Sequence, residues 1–105
     1  MVDAHENTLL ITGRLTEPPS SKTTPAGILI TRFYLQHESQ RSEAGQQRKV
    51  QCSLRVVVVG EPLARQVSSF TTGARLRVQG FLSRAGYRAA DTRLELHALN
   101  IKRIG

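Results

Sequence analysis

The side chains here that could do chemistry are cations, interleaved with a few aromatic rings. Lys22, Arg41, Arg48, Lys49, Arg84, Arg88 and Arg93 all fall in or beside polar stretches, and Tyr34 and Tyr87 lie among them. Guanidinium and ammonium groups so placed neutralise phosphates along a flexible polyanion and release its counterions. Tyrosine rings add faces on which bases stack, each stack worth about 1–3 kcal/mol. Overall charge agrees with this reading. Fifteen Lys and Arg stand against eight Asp and Glu, a net +7. The excess is one-sided: residues 1–38 carry three basic and four acidic side chains, residues 39–105 twelve and four. A charge that serves only solubility need not be distributed this way, whereas an electrostatic footprint is. A ribosome-like or merely soluble basic domain is the plainer alternative.

Other chemistries fail on spacing. His5, His37 and His97 are far apart, and no pair has metal-ligand spacing. There is no GxxxxGK[ST] phosphate cradle, no GxGxxG opening a helix and no GxSxG. Glu38 and Glu43 sit in a polar stretch beside Arg41 and Arg48, the usual setting of solvated charge. Cys52 is the only cysteine, so an internal disulfide is impossible and zinc lacks its usual ligand set. Its place in an apolar-leaning strand reads as a buried thiol. No enzyme, cofactor or metal is expected. Residues 1–6 lack the features of a signal peptide, and the longest all-apolar valine run, Val56–Val59, is far short of a membrane span. A soluble cytoplasmic protein is expected.

The elements that must position these cations read as strands with one short helix. Residues 8–16 are rich in β-formers, and Gly13 inside them marks a bend. Pro18, Pro19, Pro25 and Gly27 mark a loop. A second strand runs from Ile28 to about His37, with Leu29, Thr31, Phe33 and Leu35 on one face and Arg32, Tyr34 and Gln36 on the other. Residues 38–49 read as a polar hairpin loop, and a third strand covers 50–59. Gly60-Glu61-Pro62 starts a helix whose apolar stripe is Leu63, Val67 and Phe70, with Gly73 placed to end it. Residues 75–82 alternate strongly as a fourth strand with a bulge at Gly80. Residues 83–91 form a second basic loop, and a fifth strand ends near Arg103, with His97 on a sheet face. Phe33, Phe70 and Phe81 are expected in the core, which leaves Tyr34 and Tyr87 as stacking platforms.

Three strands, a helix and two strands is the order of an all-β, five-stranded OB-fold barrel with one short helix between strands three and four. One domain over residues 1–105 is expected, with residues 1–6 flexible. In such barrels the loops between strands one and two and between four and five flank the binding face.

Residues 7–33, NTLLITGRLTEPPSSKTTPAGILITRF, resemble the opening of bacterial single-stranded-DNA-binding proteins around Gly13-Arg14-Leu15 and Thr24-Pro25-Ala26-Gly27. Through LQHES, EAGQQRK, GARLRVQGFLSR and LELHALNI the sequence is more similar to the primosomal replication protein N (PriB) family, over about residues 7–104. The sequence stops at Gly105 with no Gly/Pro-rich extension or acidic tip, which favours that subfamily. The resemblance implies an OB-fold homodimer that binds single-stranded DNA. It also implies a partnership with the primosomal helicase and other primosome proteins in replication restart, without catalysis. Members of the family can carry aromatic residues where this chain has Gln46 and Gln51, and a basic residue where it has Gly86. Arg88 and Arg93 stand where the family can have lysines. Single-strand affinity that is weaker and more dependent on salt than in aromatic-rich relatives is therefore expected. Two alternatives stand beside this reading: a protein–protein adaptor for the helicase with weak DNA binding, and a general single-strand-binding protein.

Overall fold

The computed structural model describes residues 5–88, 90 and 92–105. The element order is β1 (Leu9–Leu15), β2 (Ser20–Thr23), β3 (Leu29–Glu43), β4 (Gln46–Val59), α1 (Leu63–Ser68), β5 (Arg75–Arg84) and β6 (Leu94–Ile104). The strands follow one another in the order β1-β5-β6-β4-β3-β2, and β1 also pairs with β3 through Arg14↔Gln36 and Leu15↔Leu35. That second pairing closes β1, β5, β6, β4 and β3 into the ring expected of an OB-fold. All pairings are antiparallel except β4 with β6.

Period-two alternation explains the core. Thr31, Phe33 and Leu35 of β3, Val56 and Val58 of β4, Leu76 and Val78 of β5 and Leu96 of β6 are buried on the inner face. Ala64 and Val67 of α1 pack on them. Truncating one of these, such as Leu35→Ala, would cost about 2–5 kcal/mol. The hydroxyl of buried Thr31 is 2.7 Å from Ser21 Oγ, so β2 satisfies the one polar group in this row.

Close approach explains the glycines inside strands. A Cβ on Gly13 would lie 2.6 Å from Gln36 O and 2.7 Å from Leu35 Cγ, where β1 crosses β3 to close the ring. At Gly80 it would overlap the His97 carbonyl oxygen. There the register slips from Gln79↔Asn100 to Gly80↔Ala98, so Leu99 bulges out of β6 and is exposed.

Several expectations need correction. The loop after β1 holds the short strand β2. Residues 38–49 are mostly strand rather than loop: β3 and β4 pair without a break from Ile30↔Val59 to Glu43↔Gln46, around a turn at Ala44-Gly45. Polar composition hid this, because the distal half of the ribbon buries nothing and so needs no apolar residues. Cys52 is exposed for the same reason, since β4 enters the barrel only near Leu54. The helix ends at Ser68, short of Phe70; Gly73, at φ 93°, instead donates its N–H to Leu15 O (2.7 Å) in the turn that enters β5. Phe81 lies on the outer face, stacked on His97 with centroids 5.1 Å apart. Leu94 is exposed beyond the barrel end. Of the segment expected to be flexible, residues 1–4 lie outside the described residues.

Candidate nucleic-acid interface

Register places the outer-face residues in rows. Residues opposite one another share a face, so Ser83, Glu95, Arg55 and Tyr34 form one row across β5, β6, β4 and β3. Phe81, His97, Val57, Arg32 and Ser20 form the next, which extends onto β2. The rows meet at a buried acid. Glu95 is 5% exposed, and its Oε2 lies 2.9 Å from Arg55 Nε and 3.9 Å from Arg32 Nε. The guanidinium of Arg55 therefore has a fixed anchor. Arg32 Nε is buried and has no hydrogen-bond acceptor. Both arginine side chains remain more than a third exposed, so their outer N–H groups face solvent.

These arginines form one wall of a 330 Å³ cavity whose rim carries Lys22, Tyr34, Ser20, Pro18 and Glu17. Tyr34 is 47% exposed. Residue type and pattern single out Lys22 and Tyr34 but neither Arg32 nor Arg55 as site residues. Arg32 was already legible on the Tyr34 face by alternation. Arg55 becomes visible only through the β3–β4 register, and Glu95 only through the parallel β4–β6 pairing.

The loop between β5 and β6 makes a second group. Tyr87, Arg88 and Arg93 border one shallow hollow with Gly86 and Ala90. Tyr87 is fully exposed. Arg84 plays a different part from its neighbours: Nε donates to Gly86 O at 2.8 Å and Nη2 to Tyr87 O at 3.0 Å. Its guanidinium shapes the turn that carries Tyr87.

Arg41, Arg48 and Lys49 make a third group, on the ribbon beyond the barrel, and they do not share a face. Arg41 and Arg48 are opposite one another and continue the Phe33–Leu35 face, whereas Lys49 is opposite Gln40 and continues the Tyr34 face. Arg48 also pairs with Glu43 at 3.3 Å. None of these three lines either cavity above.

A further hollow, of 650 Å³, lies across the β1–β3 junction between Arg14, Arg75 and His37. The His37 ring is 2.7 Å from Thr12 O and 2.8 Å from Ser39 Oγ. A carbonyl can only accept, so Nδ1 carries the proton and this ring staples β3 to β1. Among the described residues no group of three or more His, Cys, Asp or Glu side chains could hold a metal ion, and no helix is long and apolar enough to cross a membrane.

Comparison with known proteins fits this architecture. The family model described as another single-strand binding protein family matches residues 7–100. The chain belongs to that family of single-strand binding proteins. Replication restart protein PriB of Photorhabdus laumondii subsp. laumondii is 39% identical over 98 residues, covering 93% of each chain. That of Shewanella pealeana is 38% identical over 96 residues, covering 91% of this chain and 94% of the relative. Within the wider class, the chain belongs to the PriB family of replication restart proteins. Among solved structures, PriB from Ralstonia solanacearum superposes with a TM-score of 0.81 at 26% identity, covering 94% of this chain and 98% of the other. A Plasmodium falciparum single-strand binding protein in complex with DNA gives a TM-score of 0.81 at 17% identity, covering all of both chains, which establishes the shared fold.

Proposed function

We propose that this chain binds single-stranded DNA as a non-catalytic accessory of the replication-restart primosome, assisting the primosomal helicase at stalled forks. The observation that carries this reading is the outer sheet face of an OB-fold in the PriB family, with Lys22, Arg32, Arg55 and Tyr34 on it and Tyr87, Arg88 and Arg93 on the adjoining loop. Cations and aromatic faces suit a flexible strand, whose phosphates and bases are both accessible. Contacts to phosphates carry no base identity, so little sequence preference is expected.

The protein acts in this reading as one OB-fold domain, in the cytoplasm, and as a homodimer. Beyond its short pairing with β3, β1 has a sheet edge with exposed Leu10 beside it, and a second copy is one way to cover such an edge. The adaptor reading keeps one specific support. The ribbon presents Gln46, Gln47 and Gln51 with no aromatic ring beyond the barrel, a surface better suited to polar protein contacts than to stacked bases.

Fluorescence anisotropy with short single- and double-stranded oligonucleotides across a salt series tests the proposal. Single strands should bind in preference, with affinity falling steeply as salt rises, and the pair Arg88→Glu and Arg93→Glu should weaken binding and flatten the slope. Tight binding indifferent to salt, or unchanged binding by the doubly reversed variant, would remove this loop from the interface. Capture of the helicase by nuclease-treated protein that binds no oligonucleotide would favour the adaptor.

A further inference from the structure

We propose that the outer face of β1, β5 and β6 docks an acidic segment of a protein partner, with Arg14, Arg75, Arg77 and Lys102 as its carboxylate contacts. The site lies apart from the residues assigned to DNA above and stands whether or not they bind it.

Register assembles this face. Arg75 is opposite Arg14 of β1 on one side and Ile104 of β6 on the other, and Arg77 is opposite Thr12 and Lys102. Residues opposite one another share a face, and Leu76 and Val78 of the same strand are buried, so the cations point outward. The next row along is Leu10, Gln79 and Asn100. None of these rows contains an Asp or Glu.

Three features set the face apart. First, it holds two like-charge pairs in direct opposition, Arg14 with Arg75 and Arg77 with Lys102. Like charges so placed in a sheet work against folding. All four side chains are exposed, and none forms an ion pair among the described residues. Elsewhere the fold answers arginines with acids: Arg55 with Glu95, Arg48 with Glu43, Arg65 with Glu61. A positive field left unanswered over two adjacent rows is complementary to an acidic partner. Second, Arg75 and Arg77 lie two residues apart on one strand, about 7 Å. An extended peptide laid along β5 repeats its side chains at that spacing. Carboxylates at alternate positions would meet both guanidiniums, each of which can donate two parallel hydrogen bonds. Third, the surroundings suit a polypeptide better than a nucleic acid. No aromatic ring lies in these rows, so bases have nothing to stack on, unlike the surfaces that carry Tyr34 and Tyr87. The 650 Å³ hollow beside Arg14 and Arg75 gives a side chain of the partner room to anchor, between Thr12 and Ser39.

Position allows both ligands at once. Arg77 is four residues from Phe81, roughly 14 Å along β5, with the Gly80 bulge between them. The opposed charges also fix the sign of a stability effect. Arg75→Glu and Arg77→Glu turn each like pair into an opposite one, so the melting temperature should rise while the docking site is lost.

The probe is a fluorescein-labelled decapeptide with glutamate at alternate positions and serine between. Anisotropy is read with the full chain at physiological salt, where screening limits an exposed charge to a reach of about 8 Å. The peptide should bind, and should stay bound when the chain is saturated with oligothymidylate. Arg75→Glu and Arg77→Glu together should weaken it by about tenfold or more, the scale of one charge-assisted hydrogen bond, and leave oligothymidylate binding unchanged within error. The same variant should bind the peptide with lysine in place of glutamate, a gain that unfolding cannot produce. Displacement of the peptide by oligothymidylate, or equal weakening of both ligands in the variant, would make this face part of a DNA track and end the peptide assignment. Equal loss with Arg88→Glu and Arg93→Glu would show that the peptide senses only net charge, which refutes the site. Failure of the wild-type chain to bind the peptide refutes it too. A lower melting temperature in the variant would mean that the cations support the fold, and the argument from opposed charges would fall with the proposal.

Discussion

The barrel and the ribbon that leaves it are continuous strands of one hairpin, yet they treat charge in opposite ways. In the barrel half, Arg32 and Arg55 converge on a carboxylate that is nearly sealed from water. In the distal half, Arg48 meets Glu43 at 3.3 Å with both side chains about two-thirds exposed, and Arg41 and Lys49 form no ion pair among the described residues. The difference follows from what lies beneath. Val57 is buried on the outer face and gives the Glu95 cluster a floor, while the ribbon has no second layer and can bury nothing. The same residue type is thus a fixed contact in one place and a mobile counter-charge in the other.

Glycine substitutions should show the largest contrast. Gly80→Ala would drive a methyl group into the His97 carbonyl at the bulge, where neither backbone can yield without breaking the β5–β6 register. A loss of about 3 kcal/mol or more in denaturant unfolding is expected. Gly45→Ala, at φ 76° in the ribbon turn, meets no atom within 4 Å. Its cost should be confined to the left-handed backbone, about 1 kcal/mol. Comparable losses at both sites would mean that the ribbon is as integral to folding as the barrel.

The charged pairs give the next effect. Arg55→Ala leaves the Glu95 carboxylate buried with only Arg32 at 3.9 Å. A fully buried pair broken this way costs 3–5 kcal/mol, and solvent access to the arginine reduces the expectation to about 1–2 kcal/mol. Arg48→Ala should change stability by less than about 0.5 kcal/mol. Removing Glu95 together with Arg55 should restore much of the loss, because no charge is then stranded; a double-mutant cycle on chemical denaturation measures this.

How far the sequence could be read follows the same division. Alternation in residues 29–35 and 75–82 located the inner face, because buried strands must keep period two. The strand–helix–strand order of an OB-fold was legible in the same way, whereas the helix stripe held at Leu63 and Val67 but not at Phe70, which lies beyond the helix end. Residues 38–49 read as a loop, because the ten polar residues around Ala44-Gly45 carry no periodic signal even when paired. Phe81 reads as core by its type, although alternation with Val78 and Leu82 puts it on the outer face, where it stacks on His97. Of the cations, those in polar segments were visible by composition. Alternation puts Arg32 on the Tyr34 face, but only pairing across three strands brings Arg55 to the same face and both arginines to one carboxylate. Long-range register, not local pattern, made that part of the face.

Binding sharpens the contrast further. Replacing Arg41, Arg48 and Lys49 together by Gln should leave the melting temperature unchanged within error, because none supports the core. If all three meet phosphates, the salt slope of single-strand binding should fall by ~2, at about 0.7 per contact. Their split between two faces makes a smaller drop informative. Loss by Lys49→Gln alone, with Arg41 and Arg48 indifferent, would place the strand on the Tyr34 face only.

The smallest effect is expected at the ion pair that resembles the barrel cluster in distance and the ribbon in exposure. Arg65 Nε lies 2.6 Å from Glu61 Oε2 at the start of α1. The hydrogen bond from Arg65 outweighs an opposing desolvation and, with a lesser help from the Arg65 charge, holds the Glu61 carboxyl below its ordinary value of 4.5, and Glu61 in turn raises Arg65. A depressed carboxyl stabilises the fold above its unfolded value, and that contribution fades as pH falls from there through the lower folded value. Melting curves between neutral pH and about pH 3 should therefore show wild type and Glu61→Gln converging on acidification. The gap at neutral pH should be slight and should close in high salt, because solvent screens both groups. A gap that survived high salt would show that short distance alone can make a surface pair behave like the sealed one at Glu95.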